Sequence, residues 1–185
     1  AQAVYPPAPP LMTASNMSAS GQVSVGITGA TLTSASQVTA KYGSKSTTGP
    51  VTVAADGSGT ASLNVAPLLP KTAGRYDVSF NLIGTSVSTS KTYTVGTAVP
   101  IKSFKVVRKS NGYSISGKAI KGLKVKVTVK IGSRSYSKTQ KTTKSGSFSW
   151  KYKGTKKGTY TVTAKIIPTT KYFGDFVASK VVKRK

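Results

Sequence analysis

The fold of this chain is decided by residues 145–166, SGSFSWKYKGTKKGTYTVTAKI, where apolar and polar side chains alternate in two runs. The first run, 148–153, is FSWKYK, and the second, 160–166, is YTVTAKI. Alternation with a period of two places successive side chains on opposite faces of a β-strand. Lysine occupies polar positions in both runs. The stretch therefore predicts strands that have one buried face and one cationic, solvent-facing side.

The same alternation extends over most of the chain. Residues 123–131 are LKVKVTVKI, with Val and Ile on one side of the strand and mainly Lys on the other. In the first half, strands are predicted around these apolar residues: Val23, Val25 and Ile27; Val38, Ala40 and Tyr42; Val51 and Val53; Ala61, Leu63 and Val65; Tyr76, Val78, Phe80 and Leu82; Tyr93 and Val95. The DGSG sequence at 56–59 is typical of a hairpin connection. Helical periodicity of useful length is absent from the sequence, so the predicted fold class is all-β.

The two halves of the sequence look like copies of one unit. AGRYDVSF at 73–80 aligns with KGTYTVTA at 157–164. A tandem repeat of a small β domain explains this self-similarity. We therefore predict a first domain at 21–98 and a second, strongly basic domain at 101–185, preceded by an extended Pro-rich arm at 1–20.

The charge of the chain is distributed very unevenly between these halves. Of 28 Lys and Arg residues, five lie in 1–100 and 23 lie in 101–185, whereas the three acids are Asp56, Asp77 and Asp175. The first part therefore carries +3 and the second part +22. A field of this kind attracts polyanions and anionic surfaces. Solubility alone would be served by charges of mixed sign.

The cations of the second half are mostly lysines, which act as mobile point charges rather than as bidentate forks. We therefore expect binding to phosphate- or sulfate-bearing polymers with little sequence preference. Candidate partners are teichoic acids, anionic glycans, lipid headgroups and extracellular DNA. The predicted polyanion-binding residues are Lys124, Lys126, Lys130, Lys151, Lys153, Lys156, Lys157, Lys183, Arg184 and Lys185. The lysines at 124–130 and those at 151–153 would form one patch if their strands belong to the same sheet.

The sequence contains few side chains that could take part in catalysis. It contains no His, Cys or Glu and only three scattered Asp residues, so general acid–base pairs, transition-metal ligands and disulfides are not expected. We predict no enzymatic activity, no catalytic or metal-binding residues and no cofactor. The aromatic residues of the second half are expected mostly in the core, because they lie mainly on the apolar side of their alternations.

The first residues, AQAVYPPAPP, begin with small residues and without Met, as after cleavage of a signal peptide. We therefore expect a secreted, cell-envelope-associated protein; the alternative is an internal boundary of a longer protein. A run of 18 apolar residues is absent, so no transmembrane segment is expected. The Pro-rich arm is either a linker or an assembly arm that adds to a sheet edge of a second copy, giving a homo-oligomer. Its candidate contact residues are Val4, Tyr5, Leu11 and Met12.

Residues 145–166 and 56–82, each with a Gly-x-Tyr corner entering an apolar strand, resemble the immunoglobulin-like repeats of secreted and cell-surface bacterial proteins. The resemblance implies two tandem Ig-like β-sandwiches. The sequence lacks the Cys pair of classical Ig domains, so only the architecture is implied and no binding residue is transferred. Together these observations predict a non-enzymatic structural or adhesive protein whose basic domain docks on an anionic polymer or surface. The alternative is a self-assembling subunit of an extracellular filament or lattice, joined through its N-terminal arm.

Overall fold

The computed structural model describes residues 2–185 and divides the chain into two compact units. The first comprises the chain up to Lys71 together with Arg75–Val95, and the second comprises Thr72–Gly74 together with Gly96–Lys185. Regular structure in the described residues is almost entirely β, with a single 3₁₀ turn at Ala66–Leu68. This confirms the predicted all-β class.

The first unit contains eight strands in two four-stranded sheets. The strands are β1 (Leu11–Ala14), β2 (Gln22–Thr28), β3 (Gln37–Tyr42), β4 (Lys45–Pro50), β5 (Thr52–Val53), β6 (Gly59–Asn64), β7 (Gly74–Leu82) and β8 (Ser88–Val95). One sheet has the order β1-β2-β6-β5 and the other β4-β3-β7-β8. Their inner faces share one core, to which Ile27 contributes from the first sheet and Phe80 from the second.

The hairpin predicted at 56–59 is present between β5 and β6, which pair antiparallel. The Asp56 carboxylate accepts hydrogen bonds from the backbone N–H of Ser58 at 3.0 Å and from its hydroxyl at 2.6 Å. These bonds lower the pKa of Asp56, the hydroxyl bond contributing most. Gly57 adopts a φ of +85°, which an L side chain rarely tolerates. The backbone geometry of the turn therefore favours glycine at position 57.

The N-terminal segment is a free arm only in part, and this corrects the predicted arm at 1–20. Strand β1 pairs antiparallel with β2, placing Met12 opposite Ile27. The Met12 side chain is 4% exposed and belongs to the core of the first unit. The sequence signal was missed because a strand of four residues next to a Pro-rich stretch shows too little alternation to be recognised.

The second unit contains nine strands: β9 (Thr97–Val99), β10 (Lys102–Lys109), β11 (Gly112–Lys118), β12 (Lys124–Ile131), β13 (Arg134–Lys141), β14 (Ser147–Lys153), β15 (Gly158–Ile166), β16 (Tyr172–Gly174) and β17 (Ala178–Arg184). One sheet has the order β10-β11-β14, and the other has the order β13-β12-β15-β17. Strand β9 pairs parallel with β16 in a small additional sheet. The two large sheets enclose one core, represented by Ile115 from the first and Val127 from the second.

The strand order identifies both units as Ig-like sandwiches. In the Ig convention the first unit pairs strands A-B-E-D against C′-C-F-G, and the second pairs A-B-E against C′-C-F-G. The second unit also has the tyrosine corner of this fold at the start of its F strand, β15. There the Tyr160 hydroxyl donates a 2.6 Å hydrogen bond to the carbonyl of Lys156. Strands β7 and β15, which carry the aligned sequences, are both nine residues long and occupy the same place in their sandwiches.

Candidate anion-binding surface

The cations of the second half lie almost entirely on the surface. Of the 23 Lys and Arg residues in 101–185, 22 are exposed and Arg184 alone is buried. Asp175 is the single acid of this part of the sequence. The positive charge is therefore displayed to solvent with little neutralisation by the chain itself.

Strand β12 shows how the sequence produces this surface. Val125, Val127 and Val129 are fully buried, whereas Lys124, Lys126 and Lys130 are exposed. The valines are fixed on the core side because burying each apolar side chain contributes on the order of 1.5–3 kcal/mol. The period of two then sends the lysines to the outer face.

Strand register brings lysines from three strands together at one end of that face. Lys126 of β12 lies directly opposite Lys165 of β15, and Lys124 lies directly opposite Lys141 of β13. We call Lys124, Lys126, Lys141 and Lys165 the lysine quartet. Side chains directly opposite on antiparallel strands have Cβ atoms about 4.5–5.5 Å apart, and like charges in such positions destabilise the sheet. None of the strand positions on this outer face is a carboxylate.

Hydroxyl groups cross the same face beside the quartet. Thr128 lies opposite Ser137 on one side and Thr163 on the other, and Thr163 lies opposite Ser179. The hydroxyls of Thr128 and Ser137 are 2.9 Å apart and share a hydrogen bond. Such groups can donate to anionic oxygens held by the lysines. Lys130 lies beyond this band, toward the opposite end of the strand.

Lys124, Lys126, Lys130, Lys151 and Lys153 do not form one patch, because the condition that their strands share a sheet is not met. Lys151 and Lys153 are exposed on β14, which belongs to the β10-β11-β14 sheet rather than to the sheet of β12. The outer faces of the two sheets point in opposite directions, because their inner faces pack against one core. Alternation specifies the buried side of a strand but carries no information about its sheet.

Arg184 also differs from its predicted surface role, because its side chain is 7% exposed. The guanidinium donates to the carbonyl of Ser110 at 2.8 Å and to those of Lys109 and Gly112 at 3.3 Å. It also lies 5.8 Å from the centre of the Tyr113 ring. Arg184 therefore holds the β10–β11 turn rather than binding an external anion.

The remaining predicted residues occupy scattered positions. Lys183, Lys185, Lys156 and Lys157 are all exposed. Lys183 lies on the same outer face as the quartet, opposite Thr159, whereas Lys156 and Lys157 lie in the loop between β14 and β15.

The predicted contact residues of the N-terminal arm fall into two groups. Val4 and Tyr5 are 95% and 83% exposed, and Leu11 is also exposed. Met12, by contrast, is buried in the first unit. The predicted contact residues that could reach another molecule are therefore Val4 and Tyr5 before β1, and Leu11 within it.

An aromatic cluster at the edge of the second unit was not predicted. The ring of Tyr136, which is 41% exposed, lies 5.8 Å from that of Tyr152. Tyr152 in turn lies 5.5 Å from Trp150 and 6.3 Å from Tyr160. Tyr160 is fully buried and Tyr136 is exposed, so the expectation that these aromatics belong to the core holds for Tyr160 but not for Tyr136. Trp150 and Tyr152 are half-buried. The alternation in 148–153 could have revealed the cluster only if β13 had been recognised as the neighbouring edge strand.

The described residues contain no group of three or more His, Cys, Asp or Glu side chains that could hold a metal ion. Across residues 2–185, helices of the length and apolar character needed to cross a bilayer are likewise absent.

Comparison with known proteins gives likenesses of fold only. No protein-family model and no curated protein sequence matches the chain. Among solved structures, a tetra-tandem repeat from the extending region of a large adhesion protein is 18% identical, with a TM-score of 0.38 over 95% of this chain and 48% of that one. The BSP domain of a biofilm-associated protein is 19% identical, with a TM-score of 0.32 over 94% of this chain and 29% of that one. The chicken interferon gamma receptor alpha chain is 10% identical, with a TM-score of 0.38 over 95% and 98%.

This chain thus spans about half the length of the adhesion-protein repeat structure. Such low identities and TM-scores do not extend the likeness from architecture to function.

Proposed function

We propose that this protein is a non-enzymatic extracellular structural or adhesive protein whose second unit docks on an anionic polymer of a cell envelope. The docking surface is the outer face of the β13-β12-β15-β17 sheet, centred on the lysine quartet. The observation that carries the proposal is the pairing of lysine with lysine at two directly opposed positions, Lys126 with Lys165 and Lys124 with Lys141. A bound polyanion supplies the negative charge that the face itself lacks.

The chemistry of the face favours phosphate- or sulfate-bearing polymers and acidic glycans. The quartet consists of lysines, which follow a flexible, repeating anion as point charges, and the neighbouring Thr and Ser hydroxyls add hydrogen-bond donors. Binding of this kind releases condensed counterions, so its affinity falls steeply as salt concentration rises. Teichoic acid, anionic glycans and extracellular DNA all present this type of charge, and so do anionic lipid headgroups at a membrane surface.

The test uses the full chain and two charge-matched triple variants. The first is Lys124→Gln, Lys126→Gln and Lys165→Gln, and the control is Lys41→Gln, Lys45→Gln and Lys71→Gln in the first unit; all six lysines are exposed. Binding to inorganic polyphosphate and heparin is measured from 50 to 300 mM salt. We expect the quartet variant to bind at least about ten-fold more weakly and its salt slope to fall by about two to three. The control should change little. Equal losses in both variants would mean that net charge alone is responsible and would contradict the assigned surface.

A second candidate function, assembly into a filament or lattice, is favoured by the exposure of Val4 and Tyr5 before β1. Two large apolar side chains on an extended segment are suited to adding along a sheet edge of another copy. Light scattering of the full chain against a variant lacking residues 1–10 tests this function. Concentration-dependent assembly that disappears in the truncated chain would support this function. If the full chain and the truncated chain are both monomeric at all concentrations, the result opposes it.

A further inference from the structure

Two cavities at the edge of the second unit share part of their lining. One, of about 290 Å³, is lined by residues that include Arg134, Tyr136 and Lys156. The other, of about 350 Å³, is lined by residues that include Lys109, Asn111 and Lys151. Tyr152 and Lys153 line both. The two cavities do not form one groove, because Lys151 and Lys153 project from the outer side of β14, whereas Tyr152 packs on its core side against Tyr160. We call the first cavity, which Tyr136 and Tyr152 line, the tyrosine groove.

The tyrosine groove is cationic. The residues that line it contribute three cations, Arg134, Lys153 and Lys156, and no carboxylate. A negatively charged occupant fits this arrangement better than a neutral ligand.

Arg134 favours a planar anion in the first cavity. Its side chain is exposed at the start of the edge strand β13. A guanidinium presents two parallel N–H donors that match the two oxygens of a carboxylate, a geometry that lysine does not reproduce. The other cations of the groove are lysines, so the site combines one specific carboxylate position with a wider positive field.

The aromatic side chains suit a sugar ring better than a nucleobase. The Tyr136 and Tyr152 rings are inclined at 45°, and those of Trp150 and Tyr152 at 72°. Stacking of successive bases requires parallel ring faces open to solvent, and these rings instead pack against one another. The tyrosines and Thr155 line the groove with hydroxyl groups that can bond to hydroxyls of a ligand. Burial raises the pKa of the Tyr152 hydroxyl.

We infer that the tyrosine groove binds a carboxylated glycan, a chain of uronic acid residues, with one sugar in the groove and its carboxylate on Arg134. This inference rests on the proposed function, because it assigns one class of polyanion to a defined site on the same unit. The groove, at about 290 Å³, lies at the lower end of the size range of small-molecule sites, which matches a single sugar ring. The groove belongs to the sandwich edge and is distinct from the lysine quartet, so the two surfaces can be tested separately.

The experiment measures binding of tetragalacturonate to the full chain by calorimetry and by fluorescence of Trp150, the single tryptophan, whose ring contacts Tyr152. The variants are Arg134→Lys, which keeps the charge but loses the fork, and Tyr136→Ala. The control is Arg108→Lys, an exposed arginine of β10 that does not line the groove. Tyr136→Phe keeps the aromatic ring and removes only the hydroxyl. A thermal unfolding curve for each variant checks that the variant is folded. Inorganic polyphosphate, a neutral tetrasaccharide and a single-stranded oligonucleotide serve as further probes.

We expect Arg134→Lys to weaken tetragalacturonate binding about five-fold or more and to leave polyphosphate binding unchanged, with Arg108→Lys affecting neither. Equal binding of the neutral tetrasaccharide, or unchanged tetragalacturonate binding in both groove variants, would overturn the inference. Tight oligonucleotide binding that is lost in Tyr136→Ala, without uronate binding, would replace the glycan by a nucleic acid. If the chain binds polyphosphate in a salt-dependent way but does not bind uronate, only the inference about the groove is refuted. If it binds no polyanion at all, the proposed function is refuted as well.

Discussion

Lys126 and Lys165 face each other directly across β12 and β15, on the outer face of a sheet whose strand positions carry no acid on that side. Cross-strand pairs of opposite charge stabilise a sheet, whereas like charges in the same positions destabilise it. The second unit therefore has a surface whose charge pattern is unfavourable for folding and favourable for binding a polyanion. This conflict favours the proposed binding role over simple solubilisation.

The first prediction tests that conflict by changing Lys165→Glu. The substitution converts a repulsive pair with Lys126 into an attractive one, so we expect the free energy of unfolding to rise by about 0.5–1 kcal/mol. Polyanion binding should weaken at the same time. Urea unfolding and heparin binding of the same preparation measure both effects. Lys144→Glu, an equal charge change at an exposed position in the β13–β14 turn, is the control. A destabilised Lys165→Glu variant would contradict the register argument.

The second prediction concerns Arg184, whose buried guanidinium bonds to three carbonyls of the β10–β11 turn. Arg184→Met should lower the free energy of unfolding of the second unit by about 2–3 kcal/mol, because hydrogen bonds from a charged donor are lost in a buried place. Lys185→Met, next along the chain and exposed, should have little effect. Denaturant unfolding measures the change. If polyphosphate binding per folded molecule fell with stability intact, Arg184 would be a surface ligand after all.

The sequence predicted the buried side of most strands but not their partners. Val125, Val127 and Val129 are buried as expected, since a continuous alternation has one solution against a single core. Strand β13 was missed because Tyr136 is its one large apolar side chain and seven of its eight residues are exposed. The sheet that contains Lys151 also could not be predicted, because strand order depends on contacts between segments far apart in sequence. Arg184 was misplaced for the same reason, since its partners lie more than seventy residues earlier in the chain.

The third prediction addresses the tyrosine corner. Tyr160→Phe removes the hydroxyl that donates to the carbonyl of Lys156 and leaves the buried ring in place. We expect a loss of about 0.5–1.5 kcal/mol in the stability of the second unit, the usual net value of one such bond. Tyr5→Phe, at an exposed N-terminal position, is the control and should be neutral. Thermal unfolding followed by near-ultraviolet circular dichroism measures the difference. An unchanged midpoint would show that the corner hydrogen bond is not needed to hold the start of β15.

The fourth prediction concerns pH and Tyr93. Its hydroxyl donates a 2.9 Å hydrogen bond to the carbonyl of Ser15, just after β1, and burial raises the pKa of Tyr93 to about 12. The ordinary tyrosine pKa is about 10, so this contribution to stability is complete below pH 10 and is lost as the pH rises through 12. We expect the stability difference between the native chain and Tyr93→Phe to shrink over that interval. Urea unfolding at several alkaline pH values measures it, and comparison with the variant cancels the titration of lysines common to both proteins. A difference that stays constant from pH 9 to 12 would mean that Tyr93 titrates normally.

The last prediction separates the two parts of the N-terminal segment. Removing residues 1–10 deletes the exposed Val4 and Tyr5 and leaves β1 intact, so the stability of the first unit should change by less than about 0.5 kcal/mol. Removing residues 1–14 also deletes β1 and the buried Met12, and should cost about 2 kcal/mol or more. Met12→Ala should reproduce a large share of that loss without shortening the chain. Because the longer deletion damages the fold, only the shorter one gives a valid test of assembly through the arm. If removing residues 1–10 destabilises the first unit as much as removing 1–14, the segment before β1 is part of the fold and cannot serve as a free assembly arm.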